Sequence, residues 1–277
     1  MPFTGALDYL AFAIETVHLT RFRLSEKSEL FINAVRESSI RHQAETPSGT
    51  ALYRAQLGCD CNMLLPLADH LADVPLFESL KPFPPERMKP LPHSAKEGRV
   101  NPKGIPCLYL ADSATTAMSE VRPWRGADVS IGTFKANRDL KLVDCTKKIA
   151  RTPRVILDLA PHEATPERLE SENWSWIAYA FAVPVTDADD KGQYTPTQIL
   201  AEVFKSDGFH GIKYQSLLTD DVDSGLSYAL FNLNDAELTD CKVCTVKSIT
   251  HEFSEAGASL SRFAPASMLV NRDYFQN

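Results

Sequence analysis

The chain predicts an α+β fold: a mixed β-sheet core with surrounding helices and a helical extension at the N-terminus. Three observations carry this expectation. Short runs of strand-forming residues recur at irregular spacing among amphipathic helical periods, without the regular strand–helix alternation of a doubly wound parallel sheet. Two helical periods precede the first of those runs. A length of 277 residues, with 44% apolar and 23% charged content, is enough to bury a substantial core in one domain.

Leu7, Leu10, Ile14 and Val17 recur at helical spacing with Phe12 and Ala13 beside them, predicting an amphipathic helix over about residues 5–19. Ser25 is the expected N-cap of a second helix through Leu30, Phe31, Ala34 and Val35, ending near His42. Thr46-Pro47-Ser48-Gly49 breaks that period, so residues 1–46 read as an N-terminal helical extension. Ala51 to Leu57 reads as the first core strand. From Gly58 to Glu97 the pattern is irregular, and Pro82, Pro84, Pro85, Pro90 and Pro92 predict a surface connection or lid, because proline denies a sheet its donor.

Cys107 to Ala111 is a short predicted strand. Ser113 should cap a helix whose Ala114, Ala117, Met118 and Val121 share a face and which Pro123 ends. Val129–Phe134 and Leu140–Val143 read as strands joined by the turn Asn137-Arg138-Asp139, and a helix follows between Arg168 and Phe181. Thr195-Pro196-Thr197-Gln198 has capping-box spacing with Pro at the first helical position. Ile199, Leu200, Val203 and Phe204 give that helix its buried face, and Gly208 its stop. Strands are predicted at Gly211–Leu217 and Tyr228–Leu233, with one or two more between Glu237 and Phe253. The Ser- and Ala-rich tail, residues 254–277, reads as peripheral, which leaves 47–253 as the main domain.

The composition excludes several classes. A formal net charge of −7 counts against direct nucleic-acid binding, which needs a basic face. No run of 18 apolar residues predicts a membrane span. Residues 1–20 lack the basic start and compact apolar stretch of a secretory signal. Six cysteines are too few for a disulfide scaffold, so the expected compartment is a reducing cytoplasm. Cys59, Cys61, Cys241 and Cys244 offer a four-thiolate zinc set, weighed against unpaired, partly buried thiols. The seven histidines show no ligand-type pairing. Asp187, Asp189 and Asp190, like Asp220, Asp221 and Asp223, read as solvated acidic loops, lacking calcium-loop spacing. No metal or cofactor is expected.

Residues 98–120 stand out. Arg99 lies in a loop between Gly98 and Gly104, where the backbone can turn tightly and approach a ligand, and its planar fork suits bidentate phosphate recognition. Tyr109 sits in a strand whose alternation puts Leu108 and Leu110 on the opposite face, freeing its ring for a cavity. Glu120, about 60° round its helix from Ala117, falls at the margin of the buried face, from which a carboxylate can enter a pocket. Taken singly, each has an ordinary explanation: a solvated loop arginine, a half-buried strand aromatic, an exposed helix charge. Ser216, in Tyr214-Gln215-Ser216, would pass as a strand-end hydroxyl.

The order of these residues is what resembles a known family. Arg99, Tyr109 and Glu120 flank Cys107-Leu108-Tyr109-Leu110-Ala111 and Thr116-Ala117. Thr197-Gln198-Ile199-Leu200-Ala201-Glu202 follows, then Gly208-Phe209-His210-Gly211-Ile212-Lys213-Tyr214-Gln215-Ser216, Gly225 and Leu230-Phe231, with Tyr53-Arg54-Ala55 in the opening strand. Over roughly residues 50–250 this resembles the RES domain family, named for its arginine, glutamate and serine. The resemblance implies a fold similar to ADP-ribosyltransferase toxins and the toxin of a bacterial toxin–antitoxin pair, neutralised by an Xre-like antitoxin. It implies degradation of NAD by a glycohydrolase or phosphorylase, with inorganic phosphate as co-substrate in the second case. Carried over, Arg99, Glu120 and Ser216 become the expected catalytic residues, and Tyr53, Arg54, Tyr109 and Asn101 the substrate-binding ones. The N-terminal helices and the Pro-rich stretch exceed the minimal family pattern. Two competing functions are a mono-ADP-ribosyltransferase acting on a protein and a non-catalytic interaction module built on the N-terminal helices.

Overall fold

The computed structural model describes residues 2–60, 80–91, 94–146, 165–184, 191–218 and 225–250. Residues Met1–Lys247 make one compact unit; Ser248–Asn277 is a second, of which the expected tail 254–277 lies outside the described residues. The α+β expectation holds. Helices α1 (Asp8–His18), α2 (Glu26–Ser39), α3 (Pro85–Met88), α4 (Ala114–Glu120), α5 (Pro166–Ala182) and α6 (Thr195–Ser206) accompany eight strands. These are β1 (Gln43–Thr46), β2 (Ala51–Leu57), β3 (Leu108–Ala111), β4 (Asp128–Ala136), β5 (Leu140–Cys145), β6 (Gly211–Gln215), β7 (Leu226–Leu230) and β8 (Ala236–Thr245).

The strands form one sheet in the order β1-β5-β6-β7-β3-β2-β4-β8, with β5–β6 its parallel pair and every other pair antiparallel. Two features of that order shape the molecule. β2 and β3 share one register pair, Tyr53↔Ala111, so the sheet is split there. One sheet face also encloses its own core: Leu52, Leu110, Phe134, Leu142 and Leu230, from five different strands, pack in a single cluster. Strands so far apart in the order meet only if the sheet curls, as twisted sheets of this width do.

The opposite face is covered in two patches. Over β5, β6 and β7, helices α1, α2, α5 and α6 build a core from Phe12, Phe31, Trp174, Ile177, Phe181 and Phe204 against Val143, Ile212 and Ala229. Over β2 and β4, α4 packs Ala117 on Ala55, Val129 and Ile131. Each fully buried aromatic of the first patch contributes about 1.5–3 kcal/mol of burial. The gap between the patches is where the cleft lies. The helices predicted as an N-terminal extension belong to the first patch: Phe12 and Phe31 meet at 4.9 Å, and Tyr9 N–H donates to Asn173 Oδ1 on α5 at 2.9 Å.

Several expectations are corrected. The buried face of α1 is Tyr9, Phe12 and Thr16, because the aromatic cluster around Phe31 outweighs the aliphatic stripe. Of the predicted stripe, Leu10, Ile14 and Val17 line an open groove with Trp176 and Tyr179, and Leu7 and Ile14 are 53% and 60% exposed. β1 gave no strand pattern; its pairing is supplied by the edge of β5. β4 and β5, joined by Asn137-Arg138-Asp139, do not pair with each other. The Pro-rich stretch is more than a surface connection, since Phe83 and Met88 are buried in the curled sheet and Phe83 N–H donates to Ser130 Oγ at 3.0 Å. Part of that stretch, residues 61–79 and 92–93, lies outside the described residues, as do both acidic loops, 187–190 and 220–223.

Ser25 and Ser113 cap α2 and α4 as expected, accepting the N–H of Ser28 at 3.3 Å and Thr116 at 3.1 Å. The capping box at Thr195 does not form: Tyr194 stands at the N-cap without a side-chain bond. Cys241 and Cys244, three residues apart on β8, pack on opposite faces, against the curled-sheet core and the α4 patch respectively. They cannot share an ion, and Cys61, the fourth proposed ligand, lies outside the described residues. No described helix is long and apolar enough to cross a membrane.

Candidate active site

A cleft of about 580 Å³ opens between the two helical patches. Strand alternation builds its floor. Tyr53 on β2, Tyr109 on β3, Tyr214 on β6 and Ser227 on β7 lie on one sheet face, tied by the pairs Tyr53↔Ala111, Tyr109↔Ala229 and Tyr214↔Ser227. One wall is the end of α4, with Glu120, Val121 and Arg122; the facing wall carries Pro184 and Tyr194. Five of the seven sequence-predicted residues line it together: Tyr53, Arg54, Arg99, Tyr109 and Glu120.

Glu120 is the one carboxylate among the described lining residues, against three guanidiniums, Arg54, Arg99 and Arg122. Its Oε1 accepts the Ser227 hydroxyl at 3.3 Å. Ser227 in turn meets the Tyr214 hydroxyl. Burial pushes Tyr214 and Tyr109 well above the ordinary phenol range, so both remain protonated donors.

Arg99 is 8% exposed. Its Nη1 donates to the Phe181 and Ala182 carbonyls at 2.5 and 3.1 Å, which are orphan acceptors at the C-terminus of α5. Burial opposes its charge, but Tyr214 and Glu120 more than compensate and its pKa lies above the usual guanidinium value. The guanidinium also stands 5.1 Å from the Tyr214 ring centre. Arg54 occupies the split between β2 and β3: its Nη1 donates to the Tyr109 carbonyl at 3.0 Å, which β2 does not pair. Burial lowers its pKa, and its Nε is a buried donor without a hydrogen-bond partner among the described residues. A second hollow of about 450 Å³ adjoins here, sharing Arg54, Gly98 and Tyr109 with the cleft.

Two predicted residues stand elsewhere. Asn101 is 3% exposed and does not line the cleft. Its Nδ2 serves the Lys96, Pro102 and Ile105 carbonyls at 3.0, 3.2 and 2.8 Å, and its Oδ1 accepts the Tyr109 hydroxyl at 2.7 Å. Asn101 lines the adjoining hollow instead, its amide tying its loop to Tyr109 on β3. Ser216 is 1% exposed, just past β6 on the Tyr214 side, and its Oγ accepts the Leu218 N–H at 3.3 Å. It supports the turn to Leu218, which lines the cleft, whereas the hydroxyl that meets Glu120 belongs to Ser227.

Sequence reasoning missed three residues here. Ser227 carried no local signal beyond alternation with the buried Tyr228. Arg122 is the one described non-glycine residue with positive φ, at 46°, just after α4 where glycine ordinarily ends a helix. An arginine kept in that conformation, at a cost of about 1–2 kcal/mol, marks the rim of the cleft. Tyr194 was hidden by the expectation that the next residue would cap α6.

No curated protein sequence matches the chain. Among solved structures the chain is similar to one in the crystal structure of the M. tuberculosis MbcT-MbcA toxin–antitoxin complex. The identity is 15% and the TM-score 0.39, with 76% of this chain and 92% of that chain covered. A family model described as the RES domain matches residues 78–253, which takes in the Arg99 loop, Tyr109, Glu120, Ser216 and Ser227 and starts after Tyr53 and Arg54. With more than half of its length matched, the chain belongs to the RES domain family.

Proposed function

We propose that this protein cleaves the nicotinamide–ribose bond of NAD, by hydrolysis or phosphorolysis, as the toxin of a bacterial toxin–antitoxin pair. The observation that carries the reading is the ratio of charges among the described residues of the cleft: one carboxylate, bonded to a serine, with three guanidiniums and four tyrosines. Ordinary glycoside hydrolysis uses two carboxylates because the leaving sugar oxygen needs an acid. Nicotinamide leaves carrying the glycosidic electron pair and becomes neutral as it does so. One carboxylate is therefore sufficient, to face the positive charge that builds on the ribose. The guanidinium excess suits a pyrophosphate, and Arg54 Nε is a donor in want of an acceptor. Tyrosine rings offer stacking surfaces for flat bases. The acceptor of the ribose, water or phosphate, then takes the vacated face, and the proton it sheds goes to solvent or to Glu120.

In this reading Arg99 and Arg54 clamp the pyrophosphate, Glu120 oriented by Ser227 stabilises the ribosyl cation, and Ser216 acts through the Leu218 wall. The cognate inhibitor would be an antitoxin protein of the Xre-like class, as the family resemblance implies. The test is purified protein incubated with NAD, with and without phosphate, followed by product mass. ADP-ribose alone identifies a hydrolase; its phosphorylated form, appearing only with phosphate, identifies a phosphorylase. Mass added to a protein instead would make it a transferase. Glu120→Gln should lower turnover by about 10²-fold or more if the carboxylate supplies electrostatic stabilisation of the usual size. Near-normal turnover in that variant rejects the mechanism.

A further inference from the structure

The Arg99 loop, residues 96–105, contains neither helix nor strand, yet Arg99 must be placed to within a fraction of an ångström if it is to grip a substrate. What holds it comes from the first turn of α6. Thr197 Oγ1 donates to the Arg99 carbonyl at 2.6 Å. Gln198 Nε2 donates to the Gly98 carbonyl at 2.9 Å, the Asn101 carbonyl at 3.2 Å and Glu97 Oε1 at 3.1 Å. The Gly98 N–H already bonds the Asn101 carbonyl at 3.0 Å, so Gln198 closes both ends of one tight turn with Arg99 inside it. Thr197 is 2% exposed and Gln198 7%, and neither lines the cleft.

We propose that Thr197 and Gln198 are positioning residues that set the Arg99 guanidinium in the cleft, a role resting on the reading of that cleft as the NAD-cleaving site. The bonds of Gln198 explain why the Thr195–Gln198 spacing does not produce a capping box. A helix start can be satisfied by water or by its own turn, but among the described residues the side-chain donors to the buried carbonyls of Gly98 and Arg99 are Gln198 and Thr197, and Gln198 adds a second donor to the Asn101 carbonyl that accepts the Gly98 N–H. Each would carry a desolvation cost if left unmade. Gln198 therefore turns away from its own backbone, while the Thr197 hydroxyl lies between the Arg99 carbonyl at 2.6 Å and the Tyr194 carbonyl at 3.0 Å, nearer the first. Arg99 is gripped from two directions: its carbonyl by Thr197 on α6, its guanidinium by the end of α5. The amide identity at 198 is also determined, because a carboxylate there would have no donor and would stand beside Glu97.

The experiment compares Gln198→Glu, Thr197→Val and Thr197→Ser, all near-isosteric, with wild type in two readouts on the full chain. Amide hydrogen exchange of Gly98, Val100 and Gly104 reports the loop without reference to any substrate. We expect about tenfold faster exchange in Gln198→Glu and Thr197→Val, the loss of one net hydrogen bond, with amides of the α5 and α6 interiors unchanged. NAD turnover should fall by about 10²-fold in those two variants and return to near wild type in Thr197→Ser, which keeps the hydroxyl. Unchanged loop exchange overturns the proposal, as does a loosened loop with undiminished turnover. If wild type consumes no NAD but the loop loosens as expected, the clamp stands and the functional reading falls.

Discussion

Gly98 gives the sharpest test of the loop geometry, because it needs no assumption about substrate. Its backbone conformation is open to any residue; what forbids a side chain is space. A Cβ built there would lie 2.5 Å from Tyr109 Oη, 3.1 Å from Tyr109 Cζ and 3.0 Å from Asn101 Oδ1. The hydroxyl cannot step aside freely. It accepts the Val100 N–H at 3.1 Å and donates to Asn101 Oδ1 at 2.7 Å, on a ring embedded in the sheet. Gly98→Ala therefore combines overpacking, about 1–3 kcal/mol, with strain or loss in two part-buried hydrogen bonds of about 0.5–1.5 kcal/mol each. The sum, about 2–6 kcal/mol, corresponds to a fall in Tm of roughly 4–24 °C for a unit of this size. Urea unfolding of the single variants and of Gly98→Ala/Tyr109→Phe closes the argument. Tyr109→Phe alone should cost about 1–3 kcal/mol by stranding its two partners. In the double variant the methyl takes the place of the hydroxyl, so the cost should fall short of the sum by about 1–2 kcal/mol. A Gly98→Ala penalty under about 0.5 kcal/mol, or strict additivity in the cycle, would refute the close approach.

Three further outcomes follow from the same geometry. Ser227→Ala removes the hydroxyl that orients Glu120 and meets Tyr214, and turnover should drop about tenfold, the worth of one oriented hydrogen bond; undiminished turnover would return the serine's role to Ser216. Arg122→Gly relieves a left-handed residue at the end of α4 and should raise stability by about 0.5–1 kcal/mol while raising KM for NAD, since a rim cation is lost; unfolding and steady-state kinetics measured together decide it. His210 accepts the Lys141 N–H at Nδ1, at 2.9 Å, which requires a neutral imidazole. Burial, aided by Arg138, lowers its pKa, so the unfolded chain takes up a proton near pH 6.5 that the folded chain resists. Stability should therefore be full above pH 6.5 and decline as pH falls through that value toward the folded one. His210→Gln should show a flatter decline between pH 7.5 and 5.5 in thermal unfolding, and parallel curves would exclude the coupling.

Much of this arrangement was legible in the residues themselves. Ser25 and Ser113 announced their helices because an N-cap is a local bond, complete within one turn. The strands at 51–57, 108–111 and 211–215 follow from alternation, and Arg99, Tyr109 and Glu120 were recognisable from their order along the chain. Where reasoning along the chain failed, the deciding interaction came from far away. The face of α1 was chosen by Phe31 and Asn173, and the side chains of Thr197 and Gln198 by a loop about 98 residues earlier. The two thiols of β8 looked like half a zinc site until strand parity put them on opposite faces.

The sequence by itself determined most of the helices and strands, β1 and the short α3 excepted, and which side chains carry charge, since these depend on neighbours within a few positions. Only the tertiary structure decided which hydroxyl meets Glu120, which buried arginine atom lacks a partner among the described residues, and which polar side chains hold a loop instead of capping a helix. Those outcomes are settled by competition for buried acceptors and donors, and the competitors come together only after the sheet has curled and its two helical coverings have closed on one face.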